Sequence, residues 1–403
     1  MVQQADLKPW FRPPPKPYLL ANANIIDVEA GEICHSMDVK VEDGKFTSIS
    51  PSSSASSIVG FTIIDCTGRF LCPGLIDSHV HLIAVPGFGE LSSAFGNPES
   101  VSLLRQPYVC GQMLGRGFTS VRDCGGAGAA LRDAVADGVF PGPRLFLAGH
   151  ALSQSGGHAD FRGPHDRSMC CGGATTGLGR VCNGVPQCMQ AVREEVRGGA
   201  DFFTGGEIRA MVACADNAGT YVTAHAYTAK AIRHCVDNGV RGIEHGNFLD
   251  AETAALMKEK GVYLTPTLIT YHQMASPRWT GYLPPESQAK NTEVLDAGLK
   301  ALKIAHDAGV TICFGTDLLV DVLRSATLNP AKMLGRESAL GQIREGYEAD
   351  VLILSANPLK DVTILDQPDM YILGVMKEGR MYKSRIKGVE DDAVVPVRAT
   401  PHL

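Results

Sequence analysis

Four histidines and one aspartate have the residue types and positions to bind a metal ion. His79 and His81 end an apolar run in LCPGLIDSHVH, and because side chains alternate along a β-strand, both imidazoles are expected on one face. The other three residues also follow apolar runs: His225 in TAHAY, His245 in IEHGN and Asp317 in FGTD. Imidazole nitrogens with a carboxylate oxygen suit zinc best, with manganese, iron and cobalt as lesser options. The sequence therefore predicts a metal centre built from these five residues.

The segments that carry these residues belong to an alternation of short apolar strands and longer helical patterns. The strand patterns begin with LCPGLIDSHVH and continue through FTSVRDC, RLFLAG, ADFF, YVTAHAY, GIEHGN, VYLTPTL and TICFGTD. Helical patterns such as QCMQAVREEVRGG and TAKAIRHCVDNG lie between them, and several end in Gly, a common helix stop. Eight such βα units favour an α/β protein with a closed (β/α)8 barrel of the TIM type over a doubly wound sheet. Catalytic groups of such barrels lie at the carboxyl ends of the strands, which is where the five residues fall.

Both ends of the chain have β character outside this alternation. Residues 18–70 contain several strand patterns, including a hairpin with Asp43-Gly44 at its turn, and residues 336–386 return to strands. We therefore expect these two segments to join into one small composite β-sandwich domain beside a metal-binding barrel of residues 71–335. Residues 1–17 are Pro-rich and predict an extended arm, and residues 387–403 predict a tail.

The composition is that of an ordinary globular protein and argues against several function classes. Of the 403 residues, 44% are hydrophobic and 20% charged, and the net charge of −6 gives no electrostatic case for binding nucleic acid or an anionic membrane. No run approaches the roughly 18–20 apolar residues of a membrane span. The N-terminal MVQQADLKPWFRPPPKPY lacks the basic-then-apolar pattern of a signal peptide, which favours a cytoplasmic enzyme.

Several motifs resemble those of one family in both identity and order. The PGLID-H-H start, GHALSQSGGHAD, TAHAYTAKAIRHCVDNGVRGIEHGN, FGTD and REGYEADVLIL are similar to the amidohydrolase superfamily of metal-dependent hydrolases, from about residue 18 to residue 385. Within it they resemble the branch of imidazolonepropionase-like proteins, Xaa-Pro dipeptidases and the fungal ochratoxin-hydrolysing amidase. The resemblance implies a zinc-dependent enzyme that cleaves an amide-type C–N bond by metal-activated hydroxide.

The resemblance also implies a role for each matching metal ligand. His79 and His81 would bind one metal, and His225 and His245 the other, so that the chain holds one or two Zn²⁺ ions. Asp317 would ligate the first metal and act as the catalytic residue. It would take a proton from the attacking water and pass it to the leaving amine.

Two further residues are expected to contact the substrate. His158, in the loop after the third strand, resembles a substrate-contacting histidine of this branch, and Tyr227 faces the same way as His225. Together they favour a small carboxylate-bearing substrate: an N-acyl amino acid, a dipeptide or a cyclic amide. Two alternatives are that His158 lies on the surface and that Tyr227 only packs at the barrel rim. The chain could also form a homo-oligomer.

The fourth strand breaks the pattern. In related binuclear enzymes a lysine ends this strand and its carboxylated amine bridges the two metals, whereas position 204 here is Thr. The segments near residues 203–207 and 318–322 are both shortened, at the catalytic rim. Three explanations fit: a truncated homologue that binds one metal or binds two weakly, a catalytically impaired or inactive homologue, or a sequence that lacks residues of the biological protein. Lactone hydrolysis or deamination at the same site is a further alternative.

Overall fold

Helices and strands alternate in the central part of the chain, and strands fill both ends. The computed structural model describes residues 8, 10, 12–53, 59–88, 98–157, 159–160, 162, 165, 175–204, 208–277, 285–316 and 325–392. Its strands are β1 Tyr18–Asp27, β2 Glu32–Glu42, β3 Lys45–Pro51, β4 Thr62–Asp65, β5 Phe70–Pro73, β6 Leu75–Val80, β7 Phe118–Asp123, β8 Arg144–Leu147, β9 Ala151–Ser153, β10 Thr175–Thr176, β11 Gly179–Val181, β12 Phe203–Thr204, β13 Val222–Thr228, β14 Gly242–Phe248, β15 Tyr263–Thr265, β16 Val351–Leu354, β17 Ile372–Lys377 and β18 Arg380–Ser384.

The helices follow the strands of the central part in the expected order. They are α1 Glu99–Gly115, α2 Ala129–Ala136, α3 Gly184–Arg197, α4 Ile208–Asn217, α5 Ala229–Asp237, α6 Ala251–Lys260, α7 Leu268–Ala275, α8 Pro285–Asp307, α9 Leu328–Met333 and α10 Pro368–Tyr371. Helix α6 shows how the sequence sets the boundaries: the Asp250 side chain accepts a hydrogen bond from the Thr253 amide, and Gly261 ends the helix in the left-handed conformation (φ 65°). None of the helices among the described residues is long and apolar enough to cross a membrane.

The two ends of the chain join in one eight-stranded sheet. Its order is β18-β17-β16-β5-β1-β2-β3, with β4 paired to β1. The junction is the antiparallel pair β16–β5, in which Val351 lies opposite Pro73 and Leu354 opposite Phe70. LCPGLIDSHVH therefore contains two strands rather than one: β5 belongs to this sheet and β6 to the next. The sheet thus extends to Pro73, three residues past the boundary predicted at residue 70.

The central strands pair in parallel, in the order in which they occur along the chain. One sheet is β6-β7-β8 and another is β12-β13-β14-β15. Hydrogen bonds link these two sheets at both ends. At one end the Asp201 amide, just before β12, donates to the Leu147 carbonyl of β8 (2.6 Å). At the other end the Ser78 amide of β6 donates to the Phe314 carbonyl (2.7 Å), in the segment that follows Ile312. Leu264 and Ile312 form a parallel bridge. The α/β class is confirmed, and the carboxyl ends of β6, β13 and β14 meet at one rim.

The structure also corrects several predicted elements. ADFF contributes only the two-residue strand β12, VYLTPTL ends as a strand at Thr265, and the described part of TICFGTD forms an isolated bridge. Two elements were not predicted: a small sheet of β9, β10 and β11 after β8, and helix α7 directly after β15.

The segments predicted as arm and tail both contact the folded chain. Arg12 is 8% exposed and donates to the Gly138 carbonyl (3.2 Å), and Lys8 pairs with Asp137 (2.8 Å). In the predicted tail, the Asp392 amide donates to the Met381 carbonyl of β18 (2.7 Å). Residues 393–403 lie outside the described residues.

Candidate metal centre

His79 and His81 present their Nε2 atoms to the same point, 3.3 Å apart, at the carboxyl end of β6. The Nδ1 atom of each ring already has another partner. His79 Nδ1 lies 2.8 Å from Glu244 Oε2, and His81 Nδ1 lies 3.1 Å from the Gly125 carbonyl oxygen. Because a carbonyl or a carboxylate can only accept, each Nδ1 carries a proton, and in the neutral ring Nε2 is the atom left to bind a metal. This is the tautomer that a metal ligand needs.

His225 and His245 form a second pair beside the first. His225 Nδ1 lies 2.9 Å from His245 Nε2, and His245 Nδ1 contacts the Thr267 hydroxyl. The ring centroid of His79 lies 5.1 Å from those of His81 and His225 and 5.2 Å from that of His245. The four histidines predicted as ligands are therefore brought together by three strands.

The backbone at His245 explains how two successive side chains reach this site. Side chains alternate in a regular strand, so Glu244 and His245 should face opposite sides of β14. His245 instead adopts φ 76°, and Gly246 follows with φ 66°. This left-handed conformation is costly for a residue with a Cβ, and such strain is typical of functional sites. It allows Glu244 to contact His79 while His245 contacts His225.

Glu244 also connects the histidines to a buried arginine. Arg122 Nη2 donates to Glu244 Oε1, and both side chains are fully buried. Burial acts to raise the pKa of Glu244, but Arg122 and the hydrogen-bonded His79 outweigh it and lower that pKa to about 2. Glu244 is therefore a carboxylate, which holds His79 in the ligand tautomer.

The loop that gives Gly125 to His81 is organised by Asp123. Its carboxylate accepts from the amides of Leu82 (2.7 Å), Gly125 (3.0 Å) and Ala127 (3.0 Å). Burial raises the pKa of Asp123 to about 7, although the three amides act to lower it. Asp123 thus fixes the carbonyl that orients His81.

The four histidines fit a divalent metal by their chemistry. Ligand atoms of His79, His225 and His245 lie within 4.8 Å of one another, and His79 forms a second such group with Cys124 and Glu244. The Nδ1 atoms of His79, His81 and His245 contact a carboxylate, a carbonyl and a hydroxyl, respectively. Metal-bound histidines usually have such partners. The ligand roles of the four residues remain predictions.

Of the other predicted site residues, the structure describes Tyr227 but not Asp317 or His158. The Tyr227 ring stacks on His245, with centroids 4.7 Å apart, and its hydroxyl accepts from that of Tyr271 (3.0 Å). Asp317 and His158 lie outside the described residues, as do residues 205–207. Thr204 is the last described residue of β12, where the lysine of binuclear relatives was expected.

Sequence reasoning missed Glu244, Thr267 and Tyr271. Only Glu244 left a usable signal, because a carboxylate inside the apolar strand GIEHGN needs a buried partner. Thr267 fell in the predicted strand VYLTPTL, and Tyr271 fell three residues beyond its end, where no element was predicted.

Comparison with known proteins defines the class to which this site belongs. The sequence model of the amidohydrolase family matches residues 70–320 and 318–382. The two matches meet at the segment that the sequence analysis found shortened. The chain belongs to the amidohydrolase family, and it is therefore a member of a family of hydrolases.

Individual relatives narrow the comparison. Ochratoxinase from Aspergillus niger is 30% identical over 364 residues, which cover 78% of this chain and 75% of that protein. A solved amidohydrolase is 40% identical, with a TM-score of 0.84, and a prolidase complexed with N-methylphosphonate-L-proline is 34% identical, with a TM-score of 0.85. Each of these two comparisons covers 92% of this chain and 100% of the other.

Proposed function

We propose that this protein is a zinc-dependent hydrolase of amide-type C–N bonds. Membership of the amidohydrolase family supports a hydrolase, and the names ochratoxinase and prolidase support action on amide bonds. The observation that carries the proposal is the convergence of four histidine nitrogens at the carboxyl ends of β6, β13 and β14. We also propose that the parallel strands close into the (β/α)8 barrel that would place these ends around one rim.

The four histidines and Asp317 would hold the metal. A bound zinc ion supplies Lewis-acid polarisation of a carbonyl and lowers the pKa of water toward neutrality. Glu244 and the Gly125 carbonyl keep His79 and His81 in the tautomers that leave Nε2 unprotonated. Asp317 would accept a proton from the attacking water and deliver it to the leaving amine.

The substrate is proposed to be a small amide with a free carboxylate. The solved prolidase complex contains a phosphonate analogue attached to L-proline, which carries such a group. Tyr227 lies against His245 and offers a hydroxyl beside the histidine cluster, where it could donate to a carboxylate. N-acyl amino acids, dipeptides and cyclic amides fit this description.

The test is hydrolysis of a panel of N-acyl amino acids by protein freed of metal and then supplied with zinc. We expect turnover that requires zinc and falls at least about 100-fold in Asp317→Asn, since a lost proton-transfer group typically costs 10²–10⁴-fold. Asp307→Asn, which alters an exposed carboxylate, is the matched control. The absence of any turnover that depends on both zinc and Asp317 would contradict the proposal.

A second candidate is a catalytically impaired homologue. It is favoured by one observation, Thr204 in place of a bridging lysine, because without that negative charge the repulsion between two dications would favour a single metal or weak binding. In its inactive form, a non-catalytic relic, this candidate predicts less than one metal per chain and no effect of Asp317→Asn on any activity. Elemental analysis together with the mass of the intact protein separates the two candidates, and the mass would also reveal residues missing from the shortened segments.

A further inference from the structure

One helix contacts the candidate site at two points, although no ligand was predicted from its strand. Thr267 precedes α7 and contacts the Nδ1 atom of His245. Tyr271 lies four residues further on, one helical turn away, and its hydroxyl donates to the Tyr227 hydroxyl (3.0 Å). The helix therefore contacts both His245, a proposed metal ligand, and Tyr227, a proposed substrate contact. These two residues also touch each other, because the Tyr227 ring stacks on His245.

The hydrogen bond between the tyrosines has a chemical consequence when a carboxylate binds beside Tyr227. A hydroxyl has one proton to donate. A carboxylate can only accept, so a Tyr227 hydroxyl that donates its proton to a bound carboxylate keeps its oxygen as the acceptor for the Tyr271 proton. A hydroxyl that already accepts is also a stronger donor, because hydrogen bonds in a chain polarise one another. Tyr271 thus prepares Tyr227 to donate.

Tyr271 is itself held in place by the next helix. Asn291, which is 5% exposed, donates through Nδ2 to the Tyr271 carbonyl (2.7 Å), and Gln288 Nε2 donates to the Met274 carbonyl (2.9 Å). Both donors lie on α8, so α7 is tied to it by its backbone. The backbone that carries Tyr271 is therefore anchored independently of the contact between the two hydroxyls.

We propose that Tyr271 is a positioning residue for carboxylate recognition: it fixes the Tyr227 hydroxyl as a donor to the carboxylate of the substrate. This inference rests on the proposed function, in which Tyr227 contacts that carboxylate. It predicts that the Tyr271 hydroxyl affects binding of the free acid and not the chemical step.

The experiment compares two substrate series with the zinc-loaded protein. The first contains N-acetyl-L-proline, N-acetyl-L-phenylalanine and N-acetyl-L-leucine, and the second contains their C-terminal carboxamides. The variants are Tyr271→Phe, Tyr227→Phe and the double variant, with Tyr108→Phe as a control that removes a hydroxyl from an exposed side chain. The readouts are kcat and KM for each substrate.

We expect Tyr271→Phe to raise KM for the free acids roughly tenfold, the effect of weakening one hydrogen bond to a charged group, with kcat changed less than about twofold. KM for the carboxamides should be unchanged. Tyr227→Phe should raise KM for the free acids by at least as much, and the double variant should match Tyr227→Phe, because Tyr271 acts through Tyr227. Tyr108→Phe should match the wild type.

Three outcomes separate this inference from the proposed function. If the wild type hydrolyses neither series, the proposed function fails. If it hydrolyses the free acids but Tyr271→Phe changes KM equally for both series, or not at all, the role of Tyr271 is refuted. Additive effects in the double variant would also refute it. Partial unfolding cannot imitate the expected result, because KM does not depend on the concentration of active enzyme.

Discussion

Replacing Glu244 by Gln tests the chain Arg122–Glu244–His79 on which the site depends. Both carboxylate oxygens are acceptors, one for the Arg122 guanidinium and the other for His79 Nδ1 at 2.8 Å. Glutamine offers only one acceptor oxygen, and its amide group would face a second donor. Either Arg122 loses its partner, or His79 moves its proton to Nε2 and ceases to be a metal ligand.

The magnitude follows from burial. Arg122 and Glu244 are both fully buried, and breaking such a pair costs about 3–5 kcal/mol of unfolding free energy, because the remaining charge is uncompensated. Loss of a group that orients a ligand lowers metal affinity by about 10–100-fold. We therefore expect a markedly lower urea midpoint for the metal-free variant and weaker zinc binding in competition with a chelator.

The matched control is Glu252→Gln. Glu252 also pairs with an arginine, Arg233, at 2.8 Å, but its side chain is 78% exposed. Water therefore screens the pair, and the substitution should leave the urea midpoint nearly unchanged. Equal urea midpoints for the two variants, with zinc affinity unaltered in Glu244→Gln, would refute the reasoning.

Three further predictions concern the metal, a buried lysine and a close backbone contact. Zinc at about 100 times its Kd should raise the unfolding free energy, measured by urea unfolding, by about 2.7 kcal/mol in the wild type but not in His225→Asn. The exposed control His306→Asn should behave like the wild type. An equal gain in His225→Asn would show that His225 is not a metal ligand. Lys377 is 2% exposed and burial lowers its pKa, so the unfolded chain binds its proton more tightly and the contribution of Lys377 to the unfolding free energy, read as the difference between the wild type and Lys377→Met, should rise as pH approaches 10.5 from below. Lys377→Met should abolish that rise and should stabilise the protein at pH 7 by on the order of 1 kcal/mol. Lys303→Met, on an exposed helix face, should do neither. A pH profile of stability left unchanged by Lys377→Met would contradict a lowered pKa of Lys377. Gly74→Ala would bring a Cβ to 2.6 Å from Thr119 Cγ2 and should lower the unfolding free energy by about 1–3 kcal/mol. Thr119→Ala should restore part of that loss. Thermal unfolding of the single and double variants measures the coupling, and strictly additive effects would exclude the clash.

The extent to which the sequence predicted the site differs from residue to residue. The positions of His79, His81 and His225 follow from a local rule, since each imidazole extends from the carboxyl end of an apolar strand. That rule fails at β14, where it would place Glu244 and His245 on opposite faces, because a positive φ at His245 is not encoded in any periodicity. Thr267 and Tyr271 were missed for another reason: the apolar run VYLTPTL contains the end of a strand and the first residue of the helix that carries Tyr271.

The boundary between the two parts of the chain shows the same limit. LCPGLIDSHVH looks like one strand, but its first residues pair with Val351–Leu354, almost 280 residues further along the sequence (351 minus 73 is 278). Burial does not distinguish β5 from β6, since both are buried and each begins with large apolar residues. Pairing with a distant strand decides which residues belong to which sheet.

The sequence by itself determined the kinds of groups that the site contains, the strand ends that carry them and the family to which the chain belongs. These properties can be read locally, because they depend on residue type, residue order and the alternation of side chains along a strand. Only the tertiary structure decided which nitrogen of each histidine faces the centre, since that depends on partners such as Glu244, which is 165 residues from His79 and 122 from Arg122. A tautomer is fixed by whatever lies on the far side of the ring, and the fold alone puts it there.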